Sequence, residues 1–353
     1  MKRKGFSKRV ISTLMAGVML TTMLGGCSQK SASSTHKNKL VFVDWGGANT
    51  EARMKANIEP FEKEYDCEVT VVTPSDYSKL IAMVDNGTTE WDVMNCDAYW
   101  GAYAGSKGYL ESIDYDVVTE KIDPAVQLDY VMGAEVYSSV ISYNTNKYDE
   151  NTAPKTWADF WDTKKYPGKR AMWQYPVTVL EAALLADGVS MDKLYPLDLD
   201  RAFAKLDEIK DDIVWWTAGA QPSQMLSTGE VDLALAWSGR ILTAADEGSP
   251  VGLTYDQGLR IAAGWVVPKN APNKDMAMKF IEYISRAESQ AAFSEQIPYG
   301  STNEDATKLL SDDLQKKIGQ TEEQMKNQTY ISSEYWAEHL TEVEERFNEW
   351  LVK

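Results

Sequence analysis

The sequence predicts an α/β chain built as two lobes. Short apolar runs alternate with amphipathic helical stretches, the pattern of strand-helix-strand units in a parallel sheet. That alternation pauses near residue 144 and restarts with a second group. With 353 residues, 44% of them hydrophobic, the chain can bury a core in each of two domains.

The first group opens with a strand over Leu40 to Val43 and a helix over Thr50 to Tyr65 that buries Met54, Ile58 and Phe61. Strands are predicted at 67–72 and 92–95, with a helix at 76–85 between them. An alternating strand over 136–144 (VYSSVISYN) closes the group. The second group has a short capped helix at 156–162 (TWADFWD), a turn at 165–169, a strand at 171–175, helices at 178–186 and 199–209, and a buried strand at 231–237 (VDLALAW). A return strand at 259–268 (LRIAAGWVVP) precedes a helix at 274–285, and an amphipathic helix at 332–352 ends the chain.

The N-terminus reads as a removable export segment: Lys2, Arg3, Lys4, Lys8 and Arg9, an uncharged run from Val10 to Gly26, then Leu24-Gly25-Gly26-Cys27. A cysteine directly after the small pair is the pattern of a lipobox, so residues 1–26 are expected to be cleaved and Cys27 to carry the lipid anchor. Residues 27–37, rich in Ser, Lys and Asn, read as a flexible tether. Without the five leading charges, 31 basic residues face 53 acidic ones, a net charge of about −22. That balance argues against nucleic acid and against an electrostatic grip on anionic lipid. Cys67 opens one predicted strand and Cys96 closes another; in parallel strands of one sheet those ends lie too far apart to bridge, so two free, buried thiols are expected.

Metal and nucleophile chemistry has little support. The chain has two histidines, His36 and His339, with no second ligand at a metal-binding spacing and no Gly-x-Ser-x-Gly elbow. No metal, cofactor or covalent chemistry is expected. The stretch Asp44-Trp45-Gly46-Gly47-Ala48-Asn49-Thr50 lacks the glycine spacing and lysine of a phosphate loop. It is either a tight bend with Trp45 packed in the core, or a platform where a ligand meets bare backbone and a helix N-terminus near Asn49 or Thr50. Aromatic residues are the larger signal: 12 Trp and 18 Tyr, many predicted at strand ends, where ligands of α/β sheets bind. Tyr99-Trp100, Trp173-Gln174-Tyr175, Trp215-Trp216, Trp237, Trp265 and Tyr299 are of this kind. Aromatic walls suit sugars and, through cation–π attraction, amines.

Five segments in order resemble the spermidine/putrescine-binding family of solute-binding lipoproteins that serve ABC importers: Ile58-Glu59-Pro60-Phe61-Glu62-Lys63-Glu64, Val140-Ile141-Ser142-Tyr143-Asn144-Thr145, Thr156-Trp157-Ala158-Asp159-Phe160-Trp161, Gly229-Glu230-Val231-Asp232-Leu233-Ala234 leading to Trp237, and Trp265-Val266-Val267-Pro268-Lys269-Asn270-Ala271. The resemblance spans the mature chain. It implies a periplasmic-binding-protein-like fold of the type II class, with lobe 1 at 38–144 plus 262–305, lobe 2 at 145–261 plus 306–353, and a ligand cleft between them. It further implies a monomer outside the cytoplasm, tethered to the outer face of the cell membrane, that passes a small-molecule ligand to a permease and its ATPase.

Carried over by position, Trp45, Tyr99, Trp237 and Tyr299 match the family's ligand aromatics, and Asp97 is an ammonium partner. Several acids of the polyamine binders are missing: Tyr175, Thr178 and Ala263 stand in such places, and Gly46-Gly47 replaces the usual Thr-Glu. These departures favour a zwitterion over a long polyamine, its carboxylate at the Gly46-Gly47 amides or Arg240 and its ammonium at Asp97. Arg240 reads equally well as a salt-bridge residue. The ligand is thus expected to be small and amine-bearing, polyamine-like or amino-acid-like, with a sugar as the alternative and a surface carboxylate-dependent hydrolase as the more distant one.

Overall fold

The computed structural model describes residues 38–353. The expected signal segment, Cys27 and the tether lie outside the described residues. No helix among the described residues is long and apolar enough to cross a membrane.

Strand β1 (Asn38–Val43) leads into a helix that begins as α1 (Gly47–Arg53), passes through a π turn at Met54–Ile58 and continues as α2 (Glu59–Tyr65). Next come β2 (Cys67–Val72), α3 (Tyr77–Asp85), β3 (Val93–Asp97), α4 (Ala98–Ser106), and the short strands β4 (Leu110–Glu111) and β5 (Gln127–Leu128). The long strand β6 (Val131–Asn144) precedes α5 (Trp157–Trp161), β7 (Arg170–Trp173), α6 (Val179–Ala186), α7 (Leu199–Asp207), β8 (Ile213–Trp216), α8 (Gln221–Thr228), β9 (Leu233–Trp237) and α9 (Ser238–Asp246). A second long strand, β10 (Val251–Pro268), is followed by α10 (Lys274–Ser285), α11 (Ala287–Gln296), β11 (Gly300–Ser301), α12 (Glu304–Leu309), α13 (Asp312–Lys317), α14 (Glu322–Lys326), β12 (Gln328–Tyr330) and α15 (Ser333–Leu351).

The sheet runs β2-β1-β3-β10-β6-β9-β7-β8. Its two ends are parallel, β2-β1-β3 on one side and β9-β7-β8 on the other. They are joined by β10 and β6, which pair antiparallel with each other from Val251 opposite Asn144 to Trp265 opposite Met132. The sequence reading started these two strands late, at Val136 and Leu259. Mutual pairing carries β6 back to Val131 and β10 back to Val251 across a register break between Thr254 and Leu259. Pairing with β9 already starts at Ser139 of β6, ahead of the boundary expected after residue 144. Trp215-Trp216, expected near strand ends or in loops, are the last two residues of β8, paired with β7 at Met172 and Trp173.

Local chemistry accounts for the helix starts. Asp76 accepts from the Lys79 amide at 3.0 Å, Thr156 and Asp159 form a reciprocal capping box, and Ser332 accepts from the Tyr335 amide at 3.1 Å. Helix α15 then buries Trp336, Leu340, Val343, Phe347 and Trp350 along one stripe.

Buried polar groups are held individually. Arg170 is fully buried, and its guanidinium donates to the carbonyls of Phe160, Gly168 and Tyr166, each at 2.6 Å. It closes the turn that the sequence places at 165–169. Cys67 and Cys96 are free and buried on strands β2 and β3, which flank β1. Burial pushes the Cys67 thiol up to about 11 and raises Cys96 as well.

Two outcomes follow from this packing. Arg170→Met leaves buried carbonyls without donors, each costing about 1–3 kcal/mol; urea denaturation should show a loss of at least about 3 kcal/mol. A protein starting at Ser28 should expose no thiol to Ellman's reagent when native and both when unfolded, because thiolate, the reactive form, is suppressed by burial.

Candidate functional site

Strands β3 and β9 end at Asp97 and Trp237, and each passes directly into a helix, α4 and α9. These ends, one from each side of the sheet, face a cavity of about 490 Å³. It is lined by Trp45, Asn49, Tyr77, Asp97, Tyr99, Glu135, Tyr137, Trp173, Tyr175, Trp237, Arg240, Ala263 and Tyr299.

The first wall is organised by Asp97. Its carboxylate accepts from Tyr77 and Tyr137, each at 3.0 Å, and from Tyr99 at 3.4 Å. Burial raises the Asp97 carboxyl above the ordinary carboxylate range, against the pull of those three hydroxyls. Tyr77 stacks on Trp100 at 3.8 Å, and Trp45 meets Tyr77 edge-on at 6.3 Å. The Trp45 indole N–H donates to Asn95 Oδ1, which fixes the ring against the wall.

Glu135 lines the same wall with its charge already matched. It pairs with buried Arg53 at 2.9 Å and accepts from Asn95 at 3.3 Å and Asn49 at 3.4 Å. The Arg53 guanidinium sits between two rings, 3.8 Å from Phe293 and 4.5 Å from Trp265.

The second wall is aromatic. Trp173 stacks on Trp216 at 5.7 Å, contacts Tyr175 at 4.8 Å and meets Trp237 edge-on at 5.2 Å. Tyr137 bridges the walls, edge-on to Trp237 at 5.9 Å and to Tyr299 at 6.1 Å. Tyr299 lies against the first turn of α9 because residue 239 is glycine: a Cβ there would meet the Tyr299 ring at 2.8 Å. Thr178, next to this wall, takes φ 66°, a left-handed conformation that a β-branched residue adopts at a cost of about 1–3 kcal/mol.

Eight residues singled out from sequence therefore line one cavity: Trp45, Asp97, Tyr99, Trp173, Tyr175, Trp237, Arg240 and Tyr299. Gly46 and Gly47 do not. Gly46, at φ 91°, makes the turn, and its amide donates to Thr50 Oγ1 at 3.0 Å; Gly47 is exposed and is already the first residue of α1, so the helix begins before Asn49. The platform of bare amides anticipated there is thus turned elsewhere. Arg240, read equally as a salt-bridge residue, forms no ion pair among the described residues and is exposed at the rim, where its charge acts on Tyr299.

Asn49, Tyr77, Glu135 and Tyr137 were missed. Glu135 and Tyr137 lie on one face of β6; Tyr137 was inside the expected strand but not singled out, and Glu135, the lone charge in VMGAEV, became visible only once the strand was known to start at Val131. Tyr77 follows the N-cap Asp76, just past a parallel strand's end.

Residues 56–321 match the family described as bacterial extracellular solute-binding protein. The chain is 34% identical to the gamma-aminobutyric acid-binding protein of Pseudomonas aeruginosa over 346 residues, covering 96% of this chain and 98% of the relative. It is 24% identical to the spermidine/putrescine-binding periplasmic protein of Escherichia coli, covering 80% and 83%. Among solved structures, an ABC transporter substrate-binding protein from Bradyrhizobium japonicum superimposes with a TM-score of 0.84 at 35% identity, covering 89% of this chain and 99% of that one. A GABA receptor does so at 0.82 and 41%, covering 89% and 98%. The chain belongs to the bacterial extracellular solute-binding proteins, of the two-lobed periplasmic type.

Proposed function

We propose that the protein is the substrate-binding lipoprotein of an ABC importer and captures a zwitterionic ω-amino acid of the GABA class. The observation that carries this is the charge pattern of the cavity. Three charged side chains line it: Asp97, Glu135 and Arg240. Glu135 is neutralised by Arg53. Asp97 and Arg240 have no countercharge among the described residues, which leaves one negative and one positive group for the ligand.

A diammonium or triammonium ligand needs an anion for each buried charge, and only Asp97 is free to serve. A zwitterion uses both ends, its ammonium at Asp97 within the ring of tyrosines and its carboxylate toward Arg240. Helix α9 begins beside Arg240 without a side-chain cap, so its first-turn N–H groups have no intrahelical acceptor and favour an anion. The GABA-binding relatives, at 34% and 41% identity, support the same assignment. Attachment through Cys27, a monomeric state, delivery to a permease driven by an ATPase, and binding without covalent chemistry complete the proposal. Lobe closure would bend where β6 and β10 cross between the two sheet halves.

Titration calorimetry with GABA, putrescine, spermidine and a disaccharide tests the ligand. Saturable binding of GABA and at least about tenfold weaker binding of putrescine are expected; preference for a polyamine or a sugar would overturn the assignment. Asp97→Asn and Arg240→Gln should each weaken GABA binding by about tenfold to a hundredfold without loss of folding, since hydrogen bonds to charged groups contribute about 1.5–3 kcal/mol, and Trp237→Ala should weaken it as well. Unchanged affinity in all three places the ligand elsewhere.

The raised carboxyl of Asp97 sets a pH dependence. The ammonium needs the ionised form, so affinity is full above the raised value and is lost as pH falls through it. That loss should begin at higher pH than for an exposed aspartate, whose value is about 3.9. Calorimetry from about pH 7.5 down to about pH 4.5 checks the sign; affinity rising on acidification contradicts it.

A further inference from the structure

Tyr175 on the second wall donates its hydroxyl proton to Glu344, which lies on α15 outside the cavity lining. Tyr99, on the first wall, lines the same cavity as Tyr175. Tyr99 in turn reaches Asp97 Oδ2 at 3.4 Å. Helix α15 also packs along α4, the helix that carries Tyr99. Two phenol–carboxylate pairs, Tyr175 with Glu344 and Tyr99 with Asp97, thus meet at one cavity from its two walls.

Counting protons gives this chain a direction. Each phenol has one proton and can donate once. With the Tyr175 proton held by Glu344, the Tyr175 oxygen is an acceptor, and the single proton of Tyr99 has two places to go: Asp97 or Tyr175. If it turns to Tyr175, Asp97 keeps the donors Tyr77 and Tyr137 and gains a free lone pair facing the cavity.

We propose that Glu344 is a positioning residue for the ligand: by holding the proton of Tyr175 it draws Tyr99 off Asp97 as the walls meet, and so opens the acceptor that the ligand's ammonium occupies. This rests on the reading of Asp97 as the ammonium site. Closure and ammonium binding are then coupled, because the acceptor is freed only when Tyr175 stands opposite Tyr99. When Tyr175 is withdrawn, Tyr99 returns to Asp97 and competes with the ligand. No proton leaves any oxygen in this sequence; only the Tyr99 hydroxyl rotates.

The test is a double-mutant cycle of Glu344→Gln with Tyr99→Phe, read by calorimetry with GABA and with putrescine, and with melting temperatures as a folding control. An amide accepts more weakly than a carboxylate, so E344Q should lower affinity about tenfold, and Glu344→Asp should restore part of it. In the Tyr99→Phe background no hydroxyl blocks Asp97, and E344Q should then cost less than about twofold. Tyr175→Phe should reproduce the loss of E344Q.

A loss that is the same in both backgrounds assigns Glu344 to holding α15 in place and overturns the proposal, leaving the ligand reading intact. If putrescine rather than GABA binds and shows the same coupling, the ligand reading fails and the relay stands. If no amine binds the unmodified protein, both fall.

Discussion

The site depends on one buried carboxylate. Asp97 is the point where α3, β6 and α4 converge on the first wall, because Tyr77, Tyr137 and Tyr99 each aim a hydroxyl at it. Those hydrogen bonds supply donors for an anion that burial disfavours. They also fix three ring planes around it, so the same contacts that make the charge tolerable build the cage an ammonium would enter. A neutral residue in its place would leave three phenols without their common acceptor.

Glu135 shows the opposite use of a carboxylate on the same wall. Its partner Arg53 is buried between Trp265 and Phe293, so the ion pair joins α1 to β6, β10 and α11. Ion pairing of this kind contributes little net stability once desolvation is counted. Its effect here is to remove one negative charge from the cavity. Had Arg53 been absent, two acids would face the ligand, and a diamine would be the better-matched solute.

The order of elements was legible in the sequence because strand and helix periods are local, as the endpoints of Cys67–Val72 and Lys274–Ser285 show. Tyr99 and Trp237 could be singled out because strand ends in an α/β sheet carry ligand contacts, and Asp97 through the resemblance to the polyamine-binding family. What stayed hidden was non-local. The extension of β6 to Val131 is set by its pairing with β10, a partner far along the chain, and Glu135 was hidden with it. The partner of the Gly46 amide was hidden too, because Thr50 approaches through the turn rather than along the strand. The link from Tyr175 to Glu344 joins residues on separate elements, so no spacing announces it.

The two strand-to-helix junctions disclose how stability is given up for the site. Asp97 and Trp237 are the N-cap residues of α4 and α9, with closely similar backbone angles of −64°, 133° and −77°, 125°. Aspartate is among the best N-cap residues, yet the Asp97 side chain makes no capping bond; it turns to the tyrosines instead. Tryptophan at 237 cannot cap at all. Each helix forgoes about 1 kcal/mol that a capping side chain would contribute. Other helices of the same chain are capped by Asp76, Thr156, Asp198, Ser311, Thr321 and Ser332, so capping residues are freely available to this sequence. At the two junctions that face the cavity no side chain caps the helix, as is also the case at α1, α2, α6, α8, α10 and α11. An uncapped start is shared by α1, α6 and α8, which also follow parallel strands; what sets the Asp97 junction apart is a residue able to cap whose carboxylate serves the cavity instead.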